Sequence, residues 1–181
     1  MKMVKLWLAR VSILLLVWLG ASVSLAFGQI NASNKSGSVT FSGEHAGMSF
    51  KGKFERWQAS LVLPPEENPS VTANFQLKYA KTGDSTYDST LPESDWFDVN
   101  NHPIGRFVST EITIVPQGYQ VAGNLTLKGN TNPASFLLVD KGDKLTAKFA
   151  INRLDYKIGF DSDPDAEWVG KTISLMLVVK K

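Results

Sequence analysis

From Ser38 onward the apolar residues of this chain recur at every second position, not every third or fourth. The plainest run is Val71-Thr-Ala-Asn-Phe-Gln-Leu-Lys-Tyr79. Val71, Ala73, Phe75, Leu77 and Tyr79 fall on one side of it, and Thr72, Asn74, Gln76 and Lys78 on the other. Side chains alternate across a strand, so the run predicts a strand buried on one face and wet on the other. Tyr119, Val121, Leu125 and Leu127 repeat the pattern, as do Leu145, Ala147, Phe149 and Ile151. Between Lys171 and Lys181, Ile173, Leu175, Leu177 and Val179 share a face, while Met176 and Val178 make the other face apolar too. Turn-forming residues separate the runs at Pro116-Gln-Gly118, Lys141-Gly-Asp-Lys144 and Leu63-Pro-Pro-Glu-Glu-Asn-Pro69. The spacing predicts an all-β domain of about eight strands, a sandwich or a barrel.

Asp84 to Val99 lacks this alternation and predicts a short helix near Glu93 to Phe97, capped by Ser94 or Asp95. Trp96 and Phe97 then serve as an apolar plug across one barrel end. An antiparallel barrel of about eight strands has an interior that side chains fill or that holds one small ligand. The inward faces carry almost no polar atoms, so such an interior would select for shape and apolarity. Periodicity leaves a packed core and a lined cavity equally open.

The first thirty residues change the picture of where the protein works. Lys2, Lys5 and Arg10 precede an uncharged run from Val11 to Gly28 centred on Ile13–Leu19, followed by small residues around Ser24, Ala26 and Gly28. This is the layout of a cleavable secretory signal peptide. The expected organisation is a signal over 1–28, a flexible polar lead over 29–37 and one domain over 38–181. The signal carries three of the 19 basic residues and none of the 17 acidic ones, so the mature chain holds 16 against 17. A near-neutral domain with no basic patch gives no electrostatic case for nucleic acid. Zero cysteines exclude disulfides, thiol chemistry and lipoprotein acylation.

Four segments, in order, carry a family likeness. Phe41-Ser-Gly-Glu-His-Ala-Gly-Met-Ser-Phe-Lys-Gly-Lys-Phe54 comes first. Asp95-Trp-Phe-Asp-Val99 follows, with His102-Pro103 and Phe107-Val-Ser-Thr-Glu-Ile112. The last two are Gly123-Asn-Leu-Thr-Leu-Lys-Gly129 and Arg153-Leu-Asp-Tyr-Lys-Ile-Gly159. Together they resemble the bacterial YceI-like family. The resemblance implies an extended lipocalin-like antiparallel barrel, a periplasmic location, and an elongated pocket for a polyisoprenoid lipid or quinone, with no covalent cofactor. Trp57, Trp96 and Trp168 resemble the subgroup associated with membrane b-type cytochromes, which makes an inner-membrane cytochrome a candidate partner. A homodimer is left open. The chain departs from the family pattern at Tyr87-Asp88-Ser89-Thr90-Leu91 and at Gly105-Arg106.

Reactive constellations are sparse. Glu44 and His45 are adjacent, but neighbours on a strand point to opposite faces, so they diverge. The only other histidine, His102, sits in a loop, and two histidines without cysteine make a poor zinc set. Asp161-Ser-Asp-Pro-Asp-Ala-Glu167 has Ala166 where a calcium loop needs glycine and Thr172 where it needs glutamate, and reads as a solvated acidic turn. Asp95 and Asp98 fit the plug better than a carboxylate pair. Arg153 is expected to pair with Asp155 on its own strand or to reach Asp95 or Asp98. No nucleophile motif or phosphate loop is present in the sequence. The expectation is a carrier, not an enzyme, without a metal site. Phe75, Leu77, Tyr79, Phe107, Tyr119, Val121, Leu125, Phe149 and Leu175 would line its apolar cavity. His45, Ser109 and Arg153 would be polar contacts at the mouth. The rival expectation is a filled barrel that docks on a membrane electron-transfer partner.

Overall fold

The computed structural model describes residues 28–181, so the signal segment lies, Gly28 apart, outside the described residues. The strands, all antiparallel in their pairings, are β1 (Ile30–Ser33), β2 (Gly37–His45), β3 (Met48–Phe54), β4 (Trp57–Val62), β5 (Ser70–Gln76), β6 (Ala80–Lys81), β7 (Ile104–Val115), β8 (Gly118–Leu127), β9 (Asn130–Asp140), β10 (Lys144–Asn152) and β11 (Thr172–Lys180). Among the described residues, one helix, α1 (Ser85–Thr90), and two 3-10 turns, Leu77–Tyr79 and Arg153–Tyr156, complete the elements.

The strands form one sheet in the order β1-β4-β5-β7-β8-β9-β10-β11-β2-β3-β6. All-β, antiparallel character and the presence of a short helix match the expectation; closure and strand number do not. The sheet is a curled half-barrel of eleven strands, not a closed barrel of about eight. No ladder joins the two edges, β1 and β6, which are only four and two residues long. Strands this short carry too few alternating positions to show in a hydropathy pattern, and short edges offer little template for aggregation. The seam is bridged near one end by short chain links, the first being residues 34–36, which join β1 to β2 and are held by the Ser36 N–H donating to the Ser33 carbonyl at 2.9 Å. Glu55-Arg56 links β3 to β4, and Leu77–Tyr79 links β5 to β6. The Glu55 N–H donates to the Tyr79 carbonyl at 2.8 Å, and the Gln76 N–H to the Arg56 carbonyl at 3.0 Å.

Three local expectations are corrected by this geometry. The strand expected over Val71–Tyr79 ends at Gln76, because the chain must turn the corner: the Leu77 N–H leaves the ladder for the Pro103 carbonyl at 3.0 Å. The polar lead is not free over its length, since Ile30–Ser33 pair with β4 and bury Ala32. The helix lies at Ser85–Thr90, not Glu93–Phe97. Its cap is Asp84, whose carboxylate accepts the N–H groups of Thr86 and Tyr87 at 2.8 and 3.2 Å. Asp95 cannot cap a helix of its own because its carboxylate is taken by the N–H groups of Asp161 and Ser162. Residues 91–99 instead fold as successive turns that bury Phe97 against Phe54.

The core lies inside the curl. Phe41, Phe54, Phe107, Phe136, Leu125, Leu145 and Val179 are among its buried residues, with tilted rings in contact along Phe41–Phe54 and Phe107–Phe136. Room for the Phe41 ring comes from Gly52, its register partner on β3, where any Cβ would collide with that ring. The β2–β3 hairpin turns on Ala46 and Gly47 at φ 48° and 77°, the two positive-φ positions that a tight hairpin demands. That turn sets the lip of the site.

Candidate functional site

Three voids run in series through the curl. The outermost is a mouth of about 290 Å³ between the β2–β3 hairpin, α1 and the 161–169 loop. Behind it lies a void of about 70 Å³ that shares Phe41, Phe50, Leu91, Trp96 and Val169 with the mouth. A third, also about 70 Å³, lies deep in the sheet and shares Phe54, Leu127 and Leu175 with the second. The passage is therefore elongated, wide outside and narrow within, and its necks are side chains. Ligand pockets typically start near 300 Å³, so the mouth alone has the size of a head-group site.

Of the nine apolar residues expected to line a cavity, Phe75, Phe107, Leu125, Phe149 and Leu175 meet at the innermost void. The other four lie apart from it. Leu77 is wholly buried in the corner turn, and Tyr79 lies under the Arg56 guanidinium at 3.9 Å. Val121 is fully packed and Tyr119 packs half-buried against the core. Sequence pattern missed Phe50, Phe54 and Phe136 as lining, although the first two stand in the opening family motif. The Trp57 indole N–H, on a residue 3% exposed that lines the innermost void, has no hydrogen-bond partner.

The polar residues separate more sharply. His45 does sit in the mouth, with its Nδ1 2.5 Å from the Tyr87 hydroxyl and the two rings edge to face. Glu44 points away into solvent, as strand alternation requires. Ser109 is remote: its hydroxyl accepts the Val71 N–H at 2.8 Å beside a β-bulge in β7. Tyr87 stands out in the sequence only as part of a departure from the family pattern, being one aromatic in a short polar helix.

Arg153 is neither on a strand nor at the mouth surface. It starts a 3-10 turn, is 1% exposed, and pairs with Asp163 at 2.7 Å, not with Asp155, Asp95 or Asp98. Its remaining N–H groups reach the carbonyls of Ile158, Gly159 and Val169. The acidic turn is likewise more than solvated: Asp163 accepts the N–H groups of Glu167, Trp168 and Val169. Burial pushes the Asp163 carboxyl upward, but those N–H groups and the Arg153 charge outweigh it and hold it below the usual carboxylate range. A cation buried at the centre of a loop thus fixes one wall of the mouth.

The opposite wall is lightly held. No side chain of α1 is buried, and Asp88 anchors it by accepting the Thr82 N–H and hydroxyl at 2.7 and 3.0 Å. Asp84→Ala is expected to cost about 0.5–2 kcal/mol of local helix stability. Amide exchange over residues 85–91 should quicken roughly tenfold at the middle of that range, while the global denaturant midpoint stays put. A shifted global midpoint would mean that α1 belongs to the cooperative core.

Among the described residues, no three His, Asp or Glu side chains converge as metal ligands, and no helix is long and apolar enough to cross a membrane. A UPF0312 protein of Pectobacterium carotovorum is 27% identical over 157 residues, covering 79% of this chain and 81% of its own length. BcnA of Burkholderia cenocepacia has a similar fold, with a TM-score of 0.73 at 21% identity, over 82% of this chain and 98% of that one. A polyisoprenoid binding domain from Saccharophagus degradans superposes with a TM-score of 0.62 at 11% identity, over 84% and 97% of the two chains. The model of the YceI-like domain matches residues 30–180, from the first strand to the last, and the chain belongs to that family.

Proposed function

We propose that this protein is an exported, periplasmic carrier that holds an isoprenoid lipid or quinone in the passage through its half-barrel. The single observation that carries this reading is the series of three voids joined by apolar side chains, open at a mouth that holds one polar pair. The chain is non-catalytic, in keeping with its family. Affinity comes from burying the tail, at about 25 cal/mol per Å² of apolar surface before ordering costs are deducted. The export signal at residues 1–28 and the name of the Saccharophagus relative support the compartment and the ligand class, respectively.

Native mass spectrometry of protein exported and purified without detergent, followed by organic extraction, tests the proposal. The expected result is a stoichiometric polyprenyl or quinone species. Empty protein that also refuses added isoprenoid would overturn it, and the filled module docking on a membrane electron-transfer partner would replace it.

A further inference from the structure

The mouth offers hydrogen bonds without charge. Among the described residues that line it, none is a lysine or arginine; its polar members are His45, Thr82, Thr86, Tyr87, Thr90, Ser162 and the already paired Asp163. The nearest buried cation, Arg153, spends its N–H groups on the Asp163 carboxylate and four backbone carbonyls. The loop that forms one wall exposes Asp161, Asp165 and Glu167. Lys51, Lys53 and Lys81 gather elsewhere, in a groove on the outer side with Glu55 and Asp88.

With a neutral imidazole, the His45–Tyr87 pair keeps the same offer whichever way the shared proton lies. If the Tyr87 hydroxyl donates to Nδ1, the ring carries its proton on Nε2, leaving one N–H donor and the phenol oxygen as acceptor. If Nδ1 donates instead, the phenol O–H is the free donor and Nε2 the free acceptor. Each arrangement presents one donor and one acceptor in a half-buried, mainly apolar setting. A neutral carbonyl or hydroxyl oxygen satisfies such a pair. A phosphate does not: it needs several donors and a counter-charge, and the mouth has no lysine or arginine to offset its loss of water.

From this we infer that the mouth is a head-group site for a neutral oxygen, a quinone carbonyl or a prenyl hydroxyl, and that it rejects phosphorylated prenyl lipids. The inference rests on the carrier reading above and sharpens it from a tail class to a head class.

Trp96 and Trp168 line the mouth, so intrinsic fluorescence of the full mature chain reports occupancy. Farnesol, farnesyl monophosphate and farnesene share one tail and differ only in the head. Farnesol is expected to bind at least about tenfold more tightly than the monophosphate, and several-fold more tightly than farnesene. In the H45F/Y87F double variant farnesol should fall to the level of farnesene, with farnesene itself unchanged. Tyr87→Phe alone, on a helix with no buried side chain, gives the same direction of change should the double variant fail to fold. A short-tailed benzoquinone, titrated by calorimetry, then tells carbonyl from hydroxyl, and tighter binding of either one supports the inference. Monophosphate binding as tight as farnesol, or farnesol affinity unmoved by the variants, would overturn it while leaving the carrier reading intact. So would a loss of farnesol affinity in Trp57→Phe alone, which would place the oxygen deep in the sheet on the unpartnered indole. Failure of all three prenyl probes would instead sink the carrier reading itself.

Discussion

Asp163→Asn is expected to destabilise the protein by about 3–5 kcal/mol, the usual cost of breaking a buried ion pair from one side. The carboxylate accepts from the Arg153 guanidinium and from three backbone N–H groups, whereas asparagine keeps one accepting oxygen and puts an amide nitrogen, which accepts none of these bonds, in place of the other. Arg153, 1% exposed, would be left charged without a counter-ion, and the loop around Trp168 would lose its internal anchor. Denaturant unfolding of both proteins at neutral pH reads the difference as a midpoint shift at constant slope. The wild type should show a larger acid limb than the variant, which keeps the contributions of Asp88, Asp95 and Asp140. The folded-state value for Asp163 lies below the unfolded value of about 3.9, so in acid the unfolded chain binds more protons. The pair's stabilisation is therefore whole above about pH 4 and is lost as the pH falls through the lower, folded value. A variant as stable as the wild type, or acid limbs that coincide, would show that the loop is held by something else.

Leu175→Phe is expected to cut the passage in two. Leu175 stands on β11 between Phe149 and Phe41 and lines both inner voids, so added bulk there closes the neck between them. Overpacking costs about 1–3 kcal/mol of stability, which the fold should survive. Binding suffers more selectively. Excluding one isoprene unit forgoes burial of about five carbons at about 0.8 kcal/mol each. Geranylgeraniol should weaken at least about a hundredfold, whereas geraniol, short enough for the outer part of the passage, should be unaffected. Equal losses for both alcohols would mean that the inner voids never receive the tail.

The long strands were legible because each buries one face: the alternations at Val71–Phe75, Tyr119–Leu127, Leu145–Ile151 and Ile173–Val179 all lie in β-strands. The edges were not, since β1 and β6 are too short to alternate and are recruited by pairing with partners distant in sequence. Helix α1 has no apolar stripe, and its cap, Asp84, is one acid among several in a polar segment. His45 was readable as the exception on a sparse list of reactive residues. Tyr87 became meaningful only when folding laid α1 over the end of β2. The Arg153–Asp163 pair shows the deepest limit: an acidic turn looks solvated in sequence, because burial is decided by what packs over it. Which apolar residues line a void and which fill the core was also undecidable from period alone, as Phe75 and Val121 illustrate.

The unsealed seam gives this sheet a mechanics that a closed barrel lacks. A closed barrel fixes its bore by strand number and stagger, and no strand can move outward without tearing a ladder. Here the sheet has the form of a C, tied across its gap by the links at residues 34–36, Glu55-Arg56 and Leu77–Tyr79 and by no strand ladder. Spreading it strains side-chain contacts but stretches no ladder between β1 and β6. Cargo girth is thereby uncoupled from backbone hydrogen bonding, and one strand topology can grip tails of different thickness.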